Sequence, residues 1–207
     1  MAKKTRAQSM VEFALLLPVL LILFTGMIEF GFLLNTYLSL LDSTRQAARL
    51  YSNSTPFILD VATNSIVDDP NFYSDCALVV KDTLAPPSDP YSRQISLDPI
   101  RDDVLVSVLS VYVDAPSDSI YLIQRHPDGS QFYSLYGNQT TKYSDTAIED
   151  SMTLNGTSPV ETGILIVEVY FGYKGKLHLP WLQAFMSDDD PVMLYASTMM
   201  PLVAAKP

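Results

Sequence analysis

One glutamate immediately precedes an apolar stretch of this chain and another lies within it, and their charge in that setting requires a chemical explanation. From Phe13 to Leu41 the only ionisable side chains are Glu29 and Tyr37, and Glu12 lies immediately before the stretch. A carboxylate carried into lipid without a partner costs several kcal/mol, so each glutamate must be paired, hydrogen-bonded or left in the headgroup zone. The chemistry that this placement indicates is charge pairing, with a position in the headgroup zone as the alternative for both residues.

Residues that could support catalysis or metal binding are scarce in the rest of the chain. The sequence has one cysteine and two histidines, which excludes an intrachain disulfide and leaves little material for a zinc site. It has no G-x-S-x-G, H-E-x-x-H, C-x-x-C or phosphate-loop pattern. We interpret Cys76 as a buried core residue and His126 as a solvated turn residue. His178 is interpreted as a core or interface residue, and Asp188–Asp190 as a solvated loop rather than a calcium site. The sequence therefore predicts neither an enzyme nor a cofactor.

Composition and charge narrow the class of protein. Hydrophobic residues make up 48% of the 207 residues, which excludes a wholly disordered chain. Charged residues make up only 17%, because much of the apolar content lies in one block. The net charge is −10, and the acidic excess follows Leu41. A region this acidic has no basic face for nucleic acid, so no nucleic-acid partner is expected.

The apolar block predicts a single membrane-spanning helix. Residues 13–34 would extend roughly 33 Å as a helix, which matches a hydrocarbon core of about 30 Å. Lys3, Lys4 and Arg6 precede the block, so the positive-inside rule places residues 1–12 in the cytoplasm and residues 42–207 outside. A cleaved secretory signal is the alternative. Its apolar core would be shorter, and the nearest small pair, Ala47–Ala48, lies among charged residues.

Polar residues stand at set offsets within the segment Arg6–Tyr51. It begins R-A-Q-S-M-V-E-F-A-L-L-L-P, continues through the apolar run to Glu29-Phe30-Gly31, and ends near Ala47-Ala48-Arg49. This pattern resembles the N-terminus of the TadE-like family, single-span proteins of the tight-adherence (Tad) pilus that are related to type IV pilins. The order of a strand, a Pro-Leu bend and a last strand near the C-terminus is similar to that family as well.

The resemblance implies that a prepilin peptidase removes a short basic leader. Cleavage between Ala7 and Gln8 would put Glu12 at the fifth position of the mature chain, where pilin-like proteins have glutamate, with Phe13 next to it. The family usually has glycine at the position of Ala7, and alanine is the next smallest side chain. The new ammonium group of Gln8 would pair with the carboxylate of Glu12 or with that of a neighbouring subunit, a pairing that is thought to set subunit register.

The two remaining features of the predicted helix are Glu29 and Pro18. Glu29 lies about 26 Å from Glu12 along the helix axis, near the outer membrane interface. Its carboxylate would lie in water or headgroups, or it would pair with a basic residue of another pilus or platform subunit. Pro18 removes one helical hydrogen bond and should bend the helix, which membrane helices tolerate.

The sequence predicts an α+β fold, in which a long N-terminal transmembrane helix continues into an extracytoplasmic domain with a mainly antiparallel sheet packed on the helix. The predicted organisation is a basic prepilin-type leader over 1–7, a transmembrane and extended helix over 8–51, a connecting region with a second helix over 52–103, and a β-rich region over 104–207. The expected elements are an apolar helical stripe within 30–51, a helix over 71–85, a loop over 86–103, strands over 104–113, 119–125, 131–136, 163–173 and 192–200, a hairpin turn over 126–130, a polar surface insertion over 137–162 and a short helix over 181–186.

The predicted function is that of a TadE-like minor pilin or pseudopilin, a structural component of a Tad-type pilus or its assembly machinery. The expected partners are other pilin-like subunits through the N-terminal helix, the prepilin peptidase, the pilus assembly platform and membrane lipid. The protein would be a single-pass protein of the cytoplasmic membrane that could enter an extracellular pilus. The alternative is a tethered extracytoplasmic binding or adhesion domain that never joins a filament. A membrane-anchored enzyme has no support in the residue inventory.

Overall fold

The chain consists of one long helix, two shorter helices and seven strands within the described residues. The computed structural model describes residues 4–89, 95–113, 121–127, 130–153, 161–183, 186 and 189–206. The elements are α1 (Lys4–Tyr51), β1 (Phe57–Asp60), β2 (Ser65–Asp68), α2 (Pro70–Leu84), β3 (Asp103–Val113), β4 (Tyr121–His126), β5 (Tyr133–Ser134), α3 (Asp145–Thr153), β6 (Thr162–Tyr173), β7 (Val192–Pro201) and a 3₁₀ turn at Val203–Ala205. A long apolar helix followed by a mainly antiparallel sheet confirms the predicted α+β class.

Contacts divide the chain into two compact units. The first unit comprises Met1–Thr36 and Tyr173–Val192, and the second comprises Tyr37–Gly172 and Met193–Pro207. Helix α1 is continuous and contributes residues to both units. Segments far apart in the sequence therefore share each unit, and the segment boundaries predicted from the sequence stay a prediction.

The sheet of the second unit has the strand order β4-β3-β6-β7, with β5 also paired to β3. Strands β3 and β6 lie at its centre and are antiparallel, with Val104 opposite Val169 and Val108 opposite Leu165. Cross-strand partners share a face, so the residues on this face form one apolar surface. That surface packs with the end of α1 and with α2: the cluster includes Val104, Val106, Val108, Leu165, Val167, Val169, Leu40, Ala47, Ala48 and Cys76. The predicted packing of the sheet on the N-terminal helix is confirmed.

The opposite face of the sheet is also covered, and this was not predicted. Leu109, Val111, Ile164 and Ile166 form a second buried cluster with Ile148 of α3. Because both faces are covered, β3 is buried at all of its first nine positions. The predicted polar surface insertion over 137–162 contains this helix, in which Asp145, Thr146, Ala147 and Asp150 are exposed and Ile148 reaches the core. Residues 154–160 lie outside the described residues.

The end of α1 is amphipathic, as the sequence predicted. Leu40, Ser43, Thr44, Ala47 and Ala48 are buried, whereas Asp42, Arg45, Gln46 and Arg49 are exposed. The buried residues are mostly small, so the helix can approach the sheet closely. The hydroxyl oxygens of Thr44 and Thr198 lie 2.9 Å apart and link α1 to β7.

Helix α2 matches its prediction within one residue at each end. Asp69 caps its N-terminus by accepting a hydrogen bond from the Asn71 amide at 2.9 Å, and Pro70 occupies the first turn. Cys76 is fully buried on its apolar face, which confirms its interpretation as a core residue. Burial raises the pKa of the Cys76 thiol to about 12.

Two connections differ from their predictions. Residues 57–68, predicted as part of a connection, form the β1–β2 hairpin, whose four-residue strands are too short to show a period in the sequence. Residues 126–130 were predicted as a hairpin turn, but β4 and β5 both pair with β3, through His126 opposite Val108 and Tyr133 opposite Val106. Strand β6 occupies the other edge of β3, so the chain continues along one edge instead of reversing. Residues 119–120 and 128–129 lie outside the described residues.

Two smaller elements differ from their predictions in the residues that the structure describes. The predicted strand over 131–136 is reduced to Tyr133–Ser134. The predicted short helix over 181–186 is a set of turns in its described part, where the Leu182 and Gln183 amides donate to the Leu179 carbonyl at 2.9 and 3.1 Å. Residues 184–185 of that segment and residues 90–94 of the predicted loop lie outside the described residues.

Candidate functional site

The N-terminal part of α1 presents an apolar surface that the rest of the chain does not cover. One candidate membrane span is found among the described residues, over Met10–Tyr51, and the most apolar part of it is 0% buried. Leu15, Leu23 and Phe24 have exposed fractions of 72%, 65% and 62%. Exposure of this much contiguous apolar surface requires lipid or other apolar helices around it. The protein is therefore anchored in a membrane through a single span.

The predicted processing and register residues lie near the start of this helix. Ala7 and Gln8 belong to α1, and their side chains lie outside the described part of the structure. Glu12 and Phe13 are exposed. The helix continues through Pro18, and the bend expected there stays a prediction. The roles of these five residues in cleavage, register and bending also stay predictions.

Glu29 has an environment that neither sequence-based alternative described. Its side chain is only 2% exposed, so the carboxylate does not lie in water. The Tyr173 hydroxyl donates to Oε1 at 2.5 Å, the Lys176 amide donates to Oε1 at 2.7 Å, and the Leu177 amide donates to Oε2 at 2.9 Å. Both carboxylate oxygens are thus satisfied inside the chain, within the first compact unit. These bonds are made within the chain, and the predicted role of Glu29 in subunit register or assembly stays a prediction.

The backbone around Gly175 explains how two consecutive amides reach one carboxylate. Gly175 has a φ of +77°, in the left-handed region that favours glycine. The chain turns there so that the Lys176 and Leu177 amides point to the same side, which is the arrangement of an anion-binding nest. Hydrogen bonds to a charged acceptor are worth about 1.5–3 kcal/mol each, and together they offset the cost of burying the Glu29 carboxylate.

A second contact holds the same segment against the helix. A Cβ atom at Gly26 would lie 3.2 Å from Cη2 of Trp181, so the indole ring lies against the backbone of α1 at this glycine. Gly26 and Glu29 are three residues apart and therefore share one face of the helix. We refer to residues 173–183 as the clasp segment. It contacts that face at two points, through the Glu29 carboxylate and through the Trp181 ring.

Sequence reasoning missed the clasp segment. Lys174-Gly175-Lys176 signals a turn and Pro180-Trp181 signals a bend, and these were the only local signals available. Nothing in either pattern names a partner more than one hundred residues earlier in the chain. The isolated glutamate in an apolar run was the sole indication that some group elsewhere had to satisfy it.

One arrangement in the second unit has the residue types of a catalytic triad. His126 Nδ1 lies 3.0 Å from Asp68 Oδ1, and His126 Nε2 lies 3.4 Å from Ser110 Oγ. However, the Ser110 hydroxyl donates its hydrogen to the Ala205 carbonyl at 2.7 Å, and Ser110 is only 4% exposed. A nucleophile needs its proton aimed at the base, whereas the Ser110 proton is aimed at the Ala205 carbonyl. The arrangement links β2, β3, β4 and the C-terminal turn.

The structure describes both histidines and two of the three aspartates in the run Asp188–Asp190. His126 is 5% exposed, so its interpretation as a solvated turn residue is wrong; it lies at the end of β4, against Asp68. His178 is exposed within the chain, which contradicts a core position, and its interface role stays a prediction. Asp189 and Asp190 are exposed, and Asp188 lies outside the described residues. No group of three metal-binding side chains occurs among the residues that the structure describes.

Two buried carboxylates of the second unit are also satisfied locally. Asp103 accepts hydrogen bonds from the Ser134 hydroxyl at 2.7 Å and from the Tyr136 and Asn138 amides at 3.0 and 2.8 Å, which orders the loop after β5. Glu168 accepts from the Tyr195 hydroxyl at 2.8 Å and from the Lys142 amide at 3.1 Å. These contacts fix loops on the sheet.

Fold and site together define a single-pass, membrane-anchored α+β protein whose exposed apolar helix bears the candidate functional residues. Residues 7–49 match the family model described as TadE-like protein, which confirms the resemblance over that segment. This match supports a pilin-like component associated with a Tad pilus, and such components are structural. No curated protein and no solved structure matches the chain.

Proposed function

We propose that this protein is a TadE-like minor pilin or pseudopilin, a structural component of a Tad-type pilus or of its assembly machinery. The observation that carries the proposal is the family match over residues 7–49, which includes the predicted cleavage site and Glu12. The exposed apolar surface of α1 is consistent with it, since a pilin-like helix has to be covered in turn by lipid and by sister helices.

The energetics of helix transfer support this proposal. A helix that leaves lipid for a bundle of apolar helices keeps its apolar surface covered, so the transfer costs little hydrophobic free energy. Direction and register must then come from polar groups. Glu12 is exposed near the N-terminal end of the helix, where the ammonium group of a cleaved neighbour could reach it. The proposed partners are sister pilin-like subunits, the prepilin peptidase and the assembly platform.

Cleavage is tested by expressing the full chain with and without a working prepilin peptidase. The expected result is a new N-terminus at Gln8, read by intact mass and N-terminal sequencing, only when the peptidase is present. Ala7→Gly should be cleaved at least as fast, whereas Ala7→Leu should remain uncleaved because its side chain is too large for a site that takes small residues. Retention of the N-terminal lysines in the presence of active peptidase would refute processing.

Assembly is tested with Glu12→Ala in a host that forms the pilus. The change should abolish incorporation into sheared filaments, while the protein still fractionates with the membrane. Glu161→Ala is the matched control, since Glu161 is an exposed acid outside α1. If Glu12→Ala leaves location and function unchanged, the tethered binding or adhesion domain becomes the better description.

A further inference from the structure

A cavity of about 320 Å³ lies beside the start of α3, among residues of the second compact unit. It is lined by Arg125 of β4, by Gln131 and by residues 141–145, which lead into α3. The charged side chains of this lining are Arg125, Lys142 and Asp145, so the cavity wall has one positive charge in excess, in a chain with a net charge of −10. The proposed function uses none of these residues.

The guanidinium group of Arg125 has a hydrogen-bonding nitrogen to spare. Its side chain is only 9% exposed, and it is fixed by two bonds: Nε donates to Oδ1 of Asp145 at 2.6 Å, and Nη2 donates to the Tyr143 carbonyl at 2.5 Å. Nη1 is buried and has no hydrogen-bond partner in the part of the chain that the structure describes. Because a buried donor without an acceptor is unfavourable, Nη1 favours an acceptor supplied from outside the chain.

Two further groups favour negative charge in this cavity. Helix α3 begins at Asp145, and the Ser144 hydroxyl caps it by accepting a hydrogen bond from the Ala147 amide at 3.2 Å. The N-terminus of a helix has a positive partial charge, which attracts anions. The ammonium group of Lys142 lies 3.8 Å from the centre of the Tyr195 ring, and the Lys142 side chain is exposed. The buried guanidinium group, the helix terminus and this lysine therefore meet at one cavity.

We propose that this cavity binds the carboxylate group of a small polar acid. One carboxylate oxygen accepts a hydrogen bond from Nη1 of Arg125, and the other contacts the ammonium group of Lys142. A singly charged group fits better than a doubly charged one, because Asp145 in the lining and the buried carboxylate of Glu168, which accepts from the Lys142 amide, repel a second negative charge. The site does not depend on the protein being a pilin.

The size and lining of the cavity determine the rest of the ligand. A volume of about 320 Å³ is at the lower end of the usual range for small-molecule sites. Gln131, Thr141 and Ser144 give the wall polar groups that suit hydroxyls, as in a sugar acid. The side chains of Gln131 and Lys142 are exposed, and exposed side chains rotate within nanoseconds, which gives the ligand access to Nη1 of Arg125.

Binding is measured by isothermal titration calorimetry on the full chain in lipid nanodiscs. Sodium glucuronate should bind saturably, sodium acetate more weakly, and glucose, which lacks the carboxylate, not at all. Inorganic phosphate should bind more weakly than glucuronate because part of it is doubly charged at pH 7. The proposal is overturned if neither glucuronate nor acetate binds saturably, if glucose binds as well as glucuronate, or if phosphate binds more tightly than both acids.

Three variants assign the binding to this cavity. Arg125→Gln should abolish saturable binding of glucuronate, and Lys142→Gln should weaken it about fivefold. Asp145→Asn keeps an oxygen for Nε of Arg125 but removes a repelling charge, so it should tighten binding about fivefold, a gain that local unfolding could not produce. Lys81→Gln is the control, since Lys81 is exposed on α2 and does not line the cavity. Unchanged affinity in Arg125→Gln or Lys142→Gln, or weaker binding in Asp145→Asn, would overturn the site.

Discussion

Replacing Glu29 should release the clasp segment from the membrane helix without unfolding the sheet. In Glu29→Ala the Tyr173 hydroxyl and the Lys176 and Leu177 amides lose their shared acceptor. Glu29→Gln keeps the shape of the side chain. Its amide nitrogen is a donor, however, so on that side the side chain would offer no acceptor to the donors around it. Both variants leave the core of the second unit untouched, because Glu29 belongs to the first unit.

The expected size of the effect follows from the bonds that are lost. Each buried donor that is left without an acceptor typically costs about 1–3 kcal/mol. If about 3 kcal/mol of this cost acts on local opening, the equilibrium constant for opening of residues 173–183 should rise roughly 150-fold in Glu29→Ala. Tyr173→Phe removes one of the three donors, so about 1–1.5 kcal/mol, or roughly tenfold, is expected.

Hydrogen exchange by mass spectrometry is the direct assay, on the full chain in lipid nanodiscs. Peptides that cover residues 173–183 should exchange faster in the order wild type, Tyr173→Phe, Glu29→Ala. Trypsin gives an independent readout, because Lys174 and Lys176 are cleavage sites that require local opening. Glu12→Gln is the matched control: it changes the other carboxylate of this helix and should leave exchange in the clasp segment unchanged.

A change of less than about threefold in the exchange rate of residues 173–183 in Glu29→Ala, no larger than the change in the Glu12→Gln control, would contradict this prediction. The prediction also fails if the Lys176 and Leu177 amides exchange in the wild-type chain at the rate of an unstructured peptide. A matching loss of protection across β3 and β6 would instead show that Glu29 supports the whole fold, which contradicts the separation into two units.

Three further predictions concern the second unit. Because burial raises the pKa of the Cys76 thiol to about 12, iodoacetamide at pH 8 should label Cys76 only as fast as the protein unfolds, and rapid labelling of the native chain would contradict this. Gly163→Ala would put a Cβ atom 2.1 Å from the Leu202 carbonyl oxygen, so thermal unfolding should show a loss of several kcal/mol, whereas Gly31→Ala, with no atom within 4 Å, should cost nothing. Burial and the nearby carboxylates of Glu168 and Asp103 raise the pKa of Tyr170 to about 12, above the value of about 10 in the unfolded chain. That stabilisation is complete below pH 10 and is lost as the pH rises towards 12, so Tyr170→Phe should flatten the fall in the free energy of unfolding above pH 10 in denaturant titrations.

The elements that were predicted well are those with a long, regular pattern. The apolar stretch of α1 could only be a helix, because lipid leaves its backbone no other partner. Strands β3 and β6 showed long runs of β-branched residues, and their predicted bounds differ from the observed bounds by a single residue. Helix α2 showed a clear apolar period, whereas its Asp-Pro start was assigned to the connecting region. In each case many residues repeated the same local signal, so the prediction did not depend on any one contact.

The elements that were missed depend on partners far away in the sequence. Residues 126–130 carry turn chemistry, but the edge of β3 offers more hydrogen bonds to a chain that continues along it. His126 was read from its neighbours Pro127 and Asp128, and its environment is set by Asp68 on another element. Helix α3 has few apolar residues, and among residues 145–150, whose burial is described, Ile148 is the buried one. No local pattern contains this information, because it is created by packing.

The two glutamates of α1 lie in different environments, a difference that the sequence alone did not reveal. Glu29 is enclosed by three donors of its own chain, so pairing it with a neighbour would first require breaking those bonds. Glu12 is exposed, so a neighbouring chain can reach it from outside. An accessible carboxylate suits the proposed pairing between subunits, and an enclosed one suits a fixed attachment within one subunit. Glu12→Ala should therefore impair assembly while the clasp segment stays closed, and Glu29→Ala should open the clasp segment in the isolated, membrane-inserted chain before any assembly step.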